Sequence, residues 1–396
     1  MSKRFMVVAG ETSGDTLAAE LVRAIKQQPQ FSSTPFPPQF FGAGGSRMAE
    51  AGVKLSFDLT KHAVFGFVDV FKKYREFQSL FNQLVKLAED RLPDVFIGVD
   101  YSGFNRRLAH ALKERARAQQ GPFTNWRPKF VQFVSPQVWA SRPGRALQLE
   151  DDLDLLLSIV PFEKEWYARK TPRLRVEYVG HPVVDRLQPF RAKRQSLQAG
   201  NSGKPVVLLL PGSRRKEVSR HLEVMLAAAA QIRTHIPAEF HIILPNENLA
   251  ELARPMITDA SIKVQIGGLS EALCEATMAI ASSGTVTTEC AYMEVPTVVL
   301  YKVSQPEYWI GKQIVTVNYI ALVNLITGQG IFPEFIQQAA TVENLTRASL
   351  HWLQHPEERQ KTIQALQPAL ATFGNGGAVM RAATAIAGMC LSEAAD

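Results

Sequence analysis

The chain has 396 residues, 46% hydrophobic and 20% charged, the composition of an ordinary globular protein with length for two cores of average domain size. Its 44 Lys and Arg against 37 Asp and Glu leave a formal charge of +7, which argues against a cationic ligand and leaves nucleic acid, an anionic membrane surface or an anionic small substrate open. The cysteines Cys274, Cys290 and Cys390 have neither disulfide-framework nor zinc-ligand spacing, and no apolar run reaches the roughly 20 residues of a membrane-spanning helix.

Along the chain, short apolar runs at 5–9, 40–42, 95–99, 130–134, 206–210, 241–244 and 297–300 alternate with helical patterns. Continuous apolar strands separated by helices predict parallel sheets covered on both faces, an α/β protein. The first run meets a polar turn instead of a cleavage site, so a secretory signal is not expected and the cysteines fit the cytoplasm.

Gly10-Glu11-Thr12-Ser13-Gly14-Asp15 follows that run and precedes a helix predicted over 16–26, the place where open α/β sheets hold ligands. Ser13 or Asp15 can cap the helix, but two glycines and two acids exceed what capping needs and favour a ligand loop. In Gly42-Ala43-Gly44-Gly45-Ser46-Arg47 an arginine replaces the last glycine of the dinucleotide fingerprint, which disfavours a nicotinamide or flavin enzyme. A tight turn or a wall of an acceptor pocket suits it better.

Phe67, Phe71, Tyr74, Phe77 and Phe81 recur at helical spacing with Lys72, Lys73 and Arg75 between them. The pattern fits a helix at an anionic membrane interface or beside an acyl pocket, and equally a core-facing helix with a basic flank. Asp100 ends the strand at 95–99; there it is either a general base of raised pKa or a cap for the next helix. His181, in Val179-Gly180-His181-Pro182, is either a hinge residue or a buried structural imidazole. The polar stretch that follows reads as an interdomain connection over 186–204.

Leu210-Pro211-Gly212-Ser213-Arg214-Arg215 opens the second half with a glycine turn and guanidinium forks matched to phosphate, without Walker spacing. The most informative segment is 279–301, where an apolar run ends at Ser282-Ser283-Gly284-Thr285 and opens a helix. Free helix-start amides and hydroxyls bind anions, and Glu289, one turn on, can accept hydrogen bonds from a ribose. This is a nucleotide cradle. No metal-ligand cluster and no nucleic-acid motif are visible.

In order along the chain, Val8-Ala-Gly-Glu-Thr-Ser-Gly-Asp15, Gly42-Ala-Gly-Gly-Ser-Arg-Met48, Phe65-Gly-Phe-Val-Asp69, Val134-Ser-Pro-Gln-Val-Trp-Ala140, Pro161-Phe-Glu163, Val179-Gly-His-Pro182, Leu210-Pro-Gly-Ser-Arg-Arg215, Ser283-Gly-Thr285 and Val323-Asn-Leu325 resemble the lipid-A-disaccharide synthases. The resemblance implies a GT-B fold, two Rossmann-like domains with parallel sheets facing a cleft. Residues 1–185 would form the acceptor side and 205–374 the UDP-sugar side, joined by 186–204, with a helix in 375–396 crossing back to the first domain. It implies an inverting transfer from UDP-2,3-diacylglucosamine to 2,3-diacylglucosamine 1-phosphate (lipid X), giving a β-1,6-linked disaccharide and UDP. No cofactor or metal is implied, nor any nucleic-acid partner; peripheral association with the anionic inner membrane from the cytoplasm and a homo-oligomer are.

Arg214, Ser283, Gly284, Thr285 and Glu289 match the family's nucleotide positions, and Asn324 lies in its active-site Asn-Leu segment. Ser13, Gly14 and the rest of the 10–15 loop match the acceptor side together with Asp100. Gly103 stands where many members carry a second acid, so the base role passes to Asp100, with Glu11 and Asp15 as competitors. Gln329 and Gly330 replace a frequent Arg-Glu, and Ser141 a usual tryptophan. Competing readings are another UDP-sugar enzyme of this architecture and an inactive UDP-sugar-binding protein.

Overall fold

A computed structural model describes residues 2–62, 74–121, 125–198 and 203–390. The chain divides into two compact units, Met1–Pro182 with Asn375–Asp396, and Val183–Gly374. Among the described residues no helix is long and apolar enough to cross a membrane.

The first unit contains β1 (Arg4–Ala9), β2 (Gln39–Gly44), β3 (Lys54–Asp58), β4 (Val95–Val99), β5 (Lys129–Phe133), β6 (Leu155–Ser158) and β7 (Val176–Tyr178). They form one parallel sheet ordered β3-β2-β1-β4-β5-β6-β7. Successive strand side chains point to opposite faces, and β1 is apolar on both. Phe5, Val7 and Ala9 pack with Leu17, Leu21 and Ile25 of α1 (Thr12–Lys26), whereas Met6 and Val8 pack on the other side with Leu84 of α2 (Tyr74–Arg91) and Leu108 and Leu112 of α3 (Ser102–Ala118). The C-terminal helix Ala378–Met389 adds Val379, Ala382 and Ile386 to the α1 face, and Arg381 Nε donates to the Val179 carbonyl at 2.8 Å.

The second unit repeats the scheme with β8 (Val206–Leu210), β9 (Glu239–Leu244), β10 (Lys263–Ile266), β11 (Met278–Ser282), β12 (Thr297–Tyr301) and β13 (Glu334–Ile336). The parallel order is β10-β9-β8-β11-β12-β13. The apolar runs of the sequence fall on the central strands of both sheets. Pattern reading passes over β3, β7, β10 and β13 because edge strands are short and partly exposed, so they carry no two-sided apolar run; it also passes over the buried four-residue β6, whose Leu155-Leu156-Leu157 run follows acidic helix residues without a turn signal.

Two local expectations change. The helix after β1 starts at Thr12, so Ser13, Gly14 and Asp15 belong to its first turn and the loop shrinks to Gly10 and Glu11. The polar stretch read as a connection over 186–204 is largely helix, α4 (Pro182–Gln198). Its polarity hides a buried face: Val183, Val184 and Leu187 join the core, and Arg194, 2% exposed, donates to the carbonyls of Leu273 at 2.6 Å and Ala276 at 2.8 Å. Those donors satisfy the open C-terminal carbonyls of helix Leu269–Glu275.

Candidate active site

Each sheet has one point where its strand order reverses, between β1 and β4 and between β8 and β11. Ligands of open α/β sheets lie beyond the carboxyl ends of the strands at such points. Most of the sequence-predicted residues lie at one or the other.

At the first point, Gly10 and Glu11 follow β1, and Asp100 follows β4. Asp100 and Tyr101 both have left-handed backbones, φ 51° and 42°, a conformation that costs about 1–3 kcal/mol per non-glycine residue. Neighbouring side chains hold the corner. The Asp100 amide donates to the Phe133 carbonyl at 2.8 Å; the Asp100 carbonyl accepts from Asn105 Nδ2 at 2.9 Å and Gln132 Nε2 at 3.0 Å. The corner turns the Tyr101 ring over Gly10, where a Cβ would lie 2.2 Å from a ring carbon. Burial, then the charge of Glu11, pushes the Tyr101 hydroxyl up to about 12, with Arg107 opposing. Gly14 sits against Asp100, a Cβ there falling 3.5 Å from the Asp100 Cβ. Glu11, Gly14 and Asp100 are thus brought together, Ser13 is exposed on the same helical turn, and Gly103 faces open space as the second residue of α3.

Asp15 has a different place from the one expected. It is 3% exposed, and its carboxylate accepts from the amides of Gly45 at 2.7 Å, Arg47 at 3.0 Å and Met48 at 3.1 Å. Those bonds cap the short helix Ser46–Glu50 and engage both carboxylate oxygens of Asp15. Gly45 is glycine because a Cβ would meet Asp15 Oδ2 at 2.6 Å.

At the second point β8 runs into Gly212, at φ 126° with a Cβ path blocked by Glu217, and then into α5 (Arg215–Arg233). Glu217 accepts from the Ser213 amide at 2.9 Å and from Arg214 Nη1 at 3.0 Å, so one carboxylate shapes the turn and orients the guanidinium. Beside it, β11 ends at Ser282, and α6 (Thr285–Tyr292) begins after Gly284. The Ser283 amide donates to the Leu300 carbonyl at 3.1 Å, continuing the strand ladder; its side chain, exposed Gly284 and Thr285, and the next amide remain for an anion. Glu289 is half-buried on α6, and burial raises its carboxyl above the ordinary value while the charge of Arg186 opposes the shift.

Asn324 departs from the expectation of a ligand contact. It is fully buried on the helix Leu322–Thr327. Its Nδ2 donates to the Phe332 carbonyl and to Glu334 Oε1, both at 2.8 Å, and its Oδ1 accepts from the Phe332 amide at 3.0 Å. Glu334 also accepts from the amides of Ile320 and Ala321, each at 2.9 Å. The pair closes the 320–334 segment, and both amide donors of Asn324 are engaged within it.

His221 carries no motif signal, yet it ties the donor-side loops together. Fully buried, its Nε2 accepts from the Lys302 amide at 3.0 Å, so the proton resides on Nδ1, which lies 2.8 Å from the Pro211 carbonyl. This neutral imidazole joins the end of β8 to the end of β12. Asn105, Gln132 and Glu217 are likewise invisible to local pattern, since each acts on backbone brought near by folding. Of the 64–81 stretch, residues 64–73 lie outside the described residues; Phe77 and Phe81 pack on the core, Phe81 against Phe104 at 5.7 Å between ring centroids.

The family model described as lipid-A-disaccharide synthetase matches residues 5–385. The chain belongs to the lipid-A-disaccharide synthetase family. A lipid-A-disaccharide synthase of Geobacter sulfurreducens is 34% identical, with 96% of each chain covered, and one of Coxiella burnetii is 31% identical over 99% of this chain and 100% of its own. Membership in this family makes the chain a glycosyltransferase of lipid A biosynthesis. In fold it is similar to the UDP-GlcNAc 2-epimerase of Neisseria meningitidis, solved bound to UDP-GlcNAc, with a TM-score of 0.63 at 12% identity and coverage of 98% of this chain and 100% of that one. It is also similar to a calicheamicin glycosyltransferase, TM-score 0.58 at 12% identity with 97% of each chain covered. The two parallel-sheet units are those of the GT-B class.

Proposed function

We propose that the chain transfers 2,3-diacylglucosamine from its UDP ester to the 6-hydroxyl of 2,3-diacylglucosamine 1-phosphate, with inversion, releasing UDP. The observation that carries this is the exposed helix start at Gly284 and Thr285 beside the Glu217-oriented Arg214, in a chain matched over residues 5–385 by the synthetase family. Helix amides, the Ser283 and Thr285 hydroxyls and the Arg214 fork take the diphosphate and stabilise the charge that builds on it as the glycosidic bond breaks. Glu289 accepts from the ribose hydroxyls. On the first unit, Asp100 takes the proton of the attacking hydroxyl, with Glu11 as the competing carboxylate, and Gly14 gives the acceptor access to the Asp100 side chain. The enzyme works at the cytoplasmic face of the inner membrane, where both lipid-bearing substrates reside.

The test is UDP release by the purified protein given UDP-2,3-diacylglucosamine with and without the acceptor. Acceptor-dependent release with a disaccharide product is the expected result. UDP binding without product would favour an inactive UDP-sugar-binding protein.

A further inference from the structure

Beyond the two switch points, the first unit gathers positive charge at one place. Arg106 and Arg107 stand on α3, one turn after the Asp100 corner. Arg142 precedes and Arg145 ends the short 3-10 turn Pro143–Arg145, which leads into the helix Ala146–Asp152 packed beside α3. Arg106 Nη1 donates to Gln148 Oε1 of that helix at 2.5 Å, and Arg107 Nε to the Gly103 carbonyl at 3.0 Å. The guanidinium of Arg145 is held below its ordinary value first by burial and then by the charges of Arg142, Arg106 and Arg107, the signature of like charges held close.

Carboxylates neutralise this group only in part: the charge of Asp152 favours the charged form of Arg106. Among the described residues Arg107, Arg142 and Arg145 have no ion pair with an acid; the nearby Asp152 is bound to His110 at 2.8 Å, and Glu150 and Asp151 are bound to Arg173 at 2.8 and 3.4 Å. The arginine-bearing loop is also rigidly anchored. Buried Glu163 accepts from the Ser135 hydroxyl, from the Ser158 hydroxyl at 2.6 Å and from the Trp139 indole at 2.8 Å. The Tyr167 hydroxyl donates to the Pro136 carbonyl at 2.8 Å, and Trp139 meets Phe162 edge-on at 4.8 Å between centroids. Arg145 lies one turn before Gln148, the residue that Arg106 holds, and its amide donates to the Arg142 carbonyl at 3.0 Å; like charges repel, so a fold that brings these guanidinium groups onto neighbouring turns stores repulsion that an anion relieves. Guanidinium forks match phosphate oxygens bidentately.

We propose that Arg106, Arg107, Arg142 and Arg145 form a phosphate-binding site on the first unit, beside the Asp100 corner. The phosphate is carried either by the sugar acceptor or by a phospholipid headgroup; only the first carrier rests on the transferase reading above. Arg107, which reaches back to Gly103, links the site to the corner that holds Asp100.

The test is calorimetric titration of the full-length protein with glucosamine 1-phosphate and with glucosamine at low salt, alongside sedimentation with vesicles of phosphatidylglycerol or phosphatidylcholine. Arg142→Ala and Arg145→Ala are expected to weaken the phosphate-bearing probe about tenfold or more each, with Lys at either position restoring part of the loss and added salt weakening the wild type. UDP affinity, melting temperature and far-UV dichroism, measured on the same samples, stay unchanged and show that both units of the variants are folded. Arginine-dependent binding of the sugar phosphate assigns the site to the acceptor; arginine-dependent binding confined to phosphatidylglycerol vesicles assigns it to the membrane. Equal binding by wild type and variants in both arms overturns the site. Absence of disaccharide product with the sugar-phosphate binding intact would sink the transferase reading alone.

Discussion

Asn105 Nδ2 donates to the carbonyl of Asp100 at 2.9 Å, and through that bond a fully buried amide on α3 holds the proposed base in a left-handed backbone. Gln132 supplies the second donor from β5. The carboxylate of Asp100 is therefore aimed by two amides that touch no substrate.

Replacing Asn105 by Ala removes one of the two side-chain bonds that offset the strain. The expected loss of stability is about 1–3 kcal/mol, visible as a lower denaturation midpoint, together with slower turnover at unchanged UDP affinity. An unchanged midpoint would mean that Gln132 suffices.

Asp100→Asn preserves the size and backbone bonds of the corner and removes the basic oxygen. Turnover is expected to fall about 10²–10⁴-fold while UDP titrates as before. Full activity would pass the role to Glu11.

For Asp15 the expected outcome is the reverse. Asn offers one oxygen where three amides now find a carboxylate, so Asp15→Asn lowers the melting temperature and leaves the pH profile of turnover in its wild-type form. A collapse of turnover at unchanged melting temperature would restore Asp15 as a base candidate.

Burial holds the His221 imidazole below its ordinary value of 6.5, so on acidification the unfolded chain takes up its proton first. The stability from neutral His221 is complete above about 6.5 and is lost as pH falls from there towards the lower folded value. Melting temperatures measured from about pH 7 down to about pH 5 should show this decline, and His221→Gln should lack that component. Parallel curves for the two proteins would refute it.

Burial also keeps the Glu289 carboxyl above its ordinary value of 4.5, and a ribose hydroxyl donates more strongly to a carboxylate than to a protonated acid. UDP affinity should accordingly rise with pH through the range just above 4.5. Glu289→Gln should bind about tenfold more weakly with that rise removed; a persisting rise would place the titrating group elsewhere.

What local pattern makes legible is visible at β1 and at Ser283-Gly284-Thr285. A run such as residues 5–9 is apolar on both faces because a central parallel strand is buried on both, and the turn after β11 is small and hydroxylated because a helix must start there with open amides. Edge strands such as β10, and the helix α4 with its buried Arg194, defeat the same logic, because their exposure or their hidden polar contacts do not follow the period of the element.

By itself, then, the sequence determined the α/β class, most of the central strands, the two turns at the strand-order reversals and, through its ordered motifs, the family. Those properties depend on interactions within a few residues, where hydrophobic period and turn chemistry act directly. Only the tertiary structure decided that Asp15 serves Gly45, 30 positions away, that Asn324 is spent on Phe332 and Glu334, and that Arg106 meets the helix that Arg145 leads into. A polar side chain in a sequence has many possible partners, and which of them it finds is set by packing that brings distant backbone within hydrogen-bond reach.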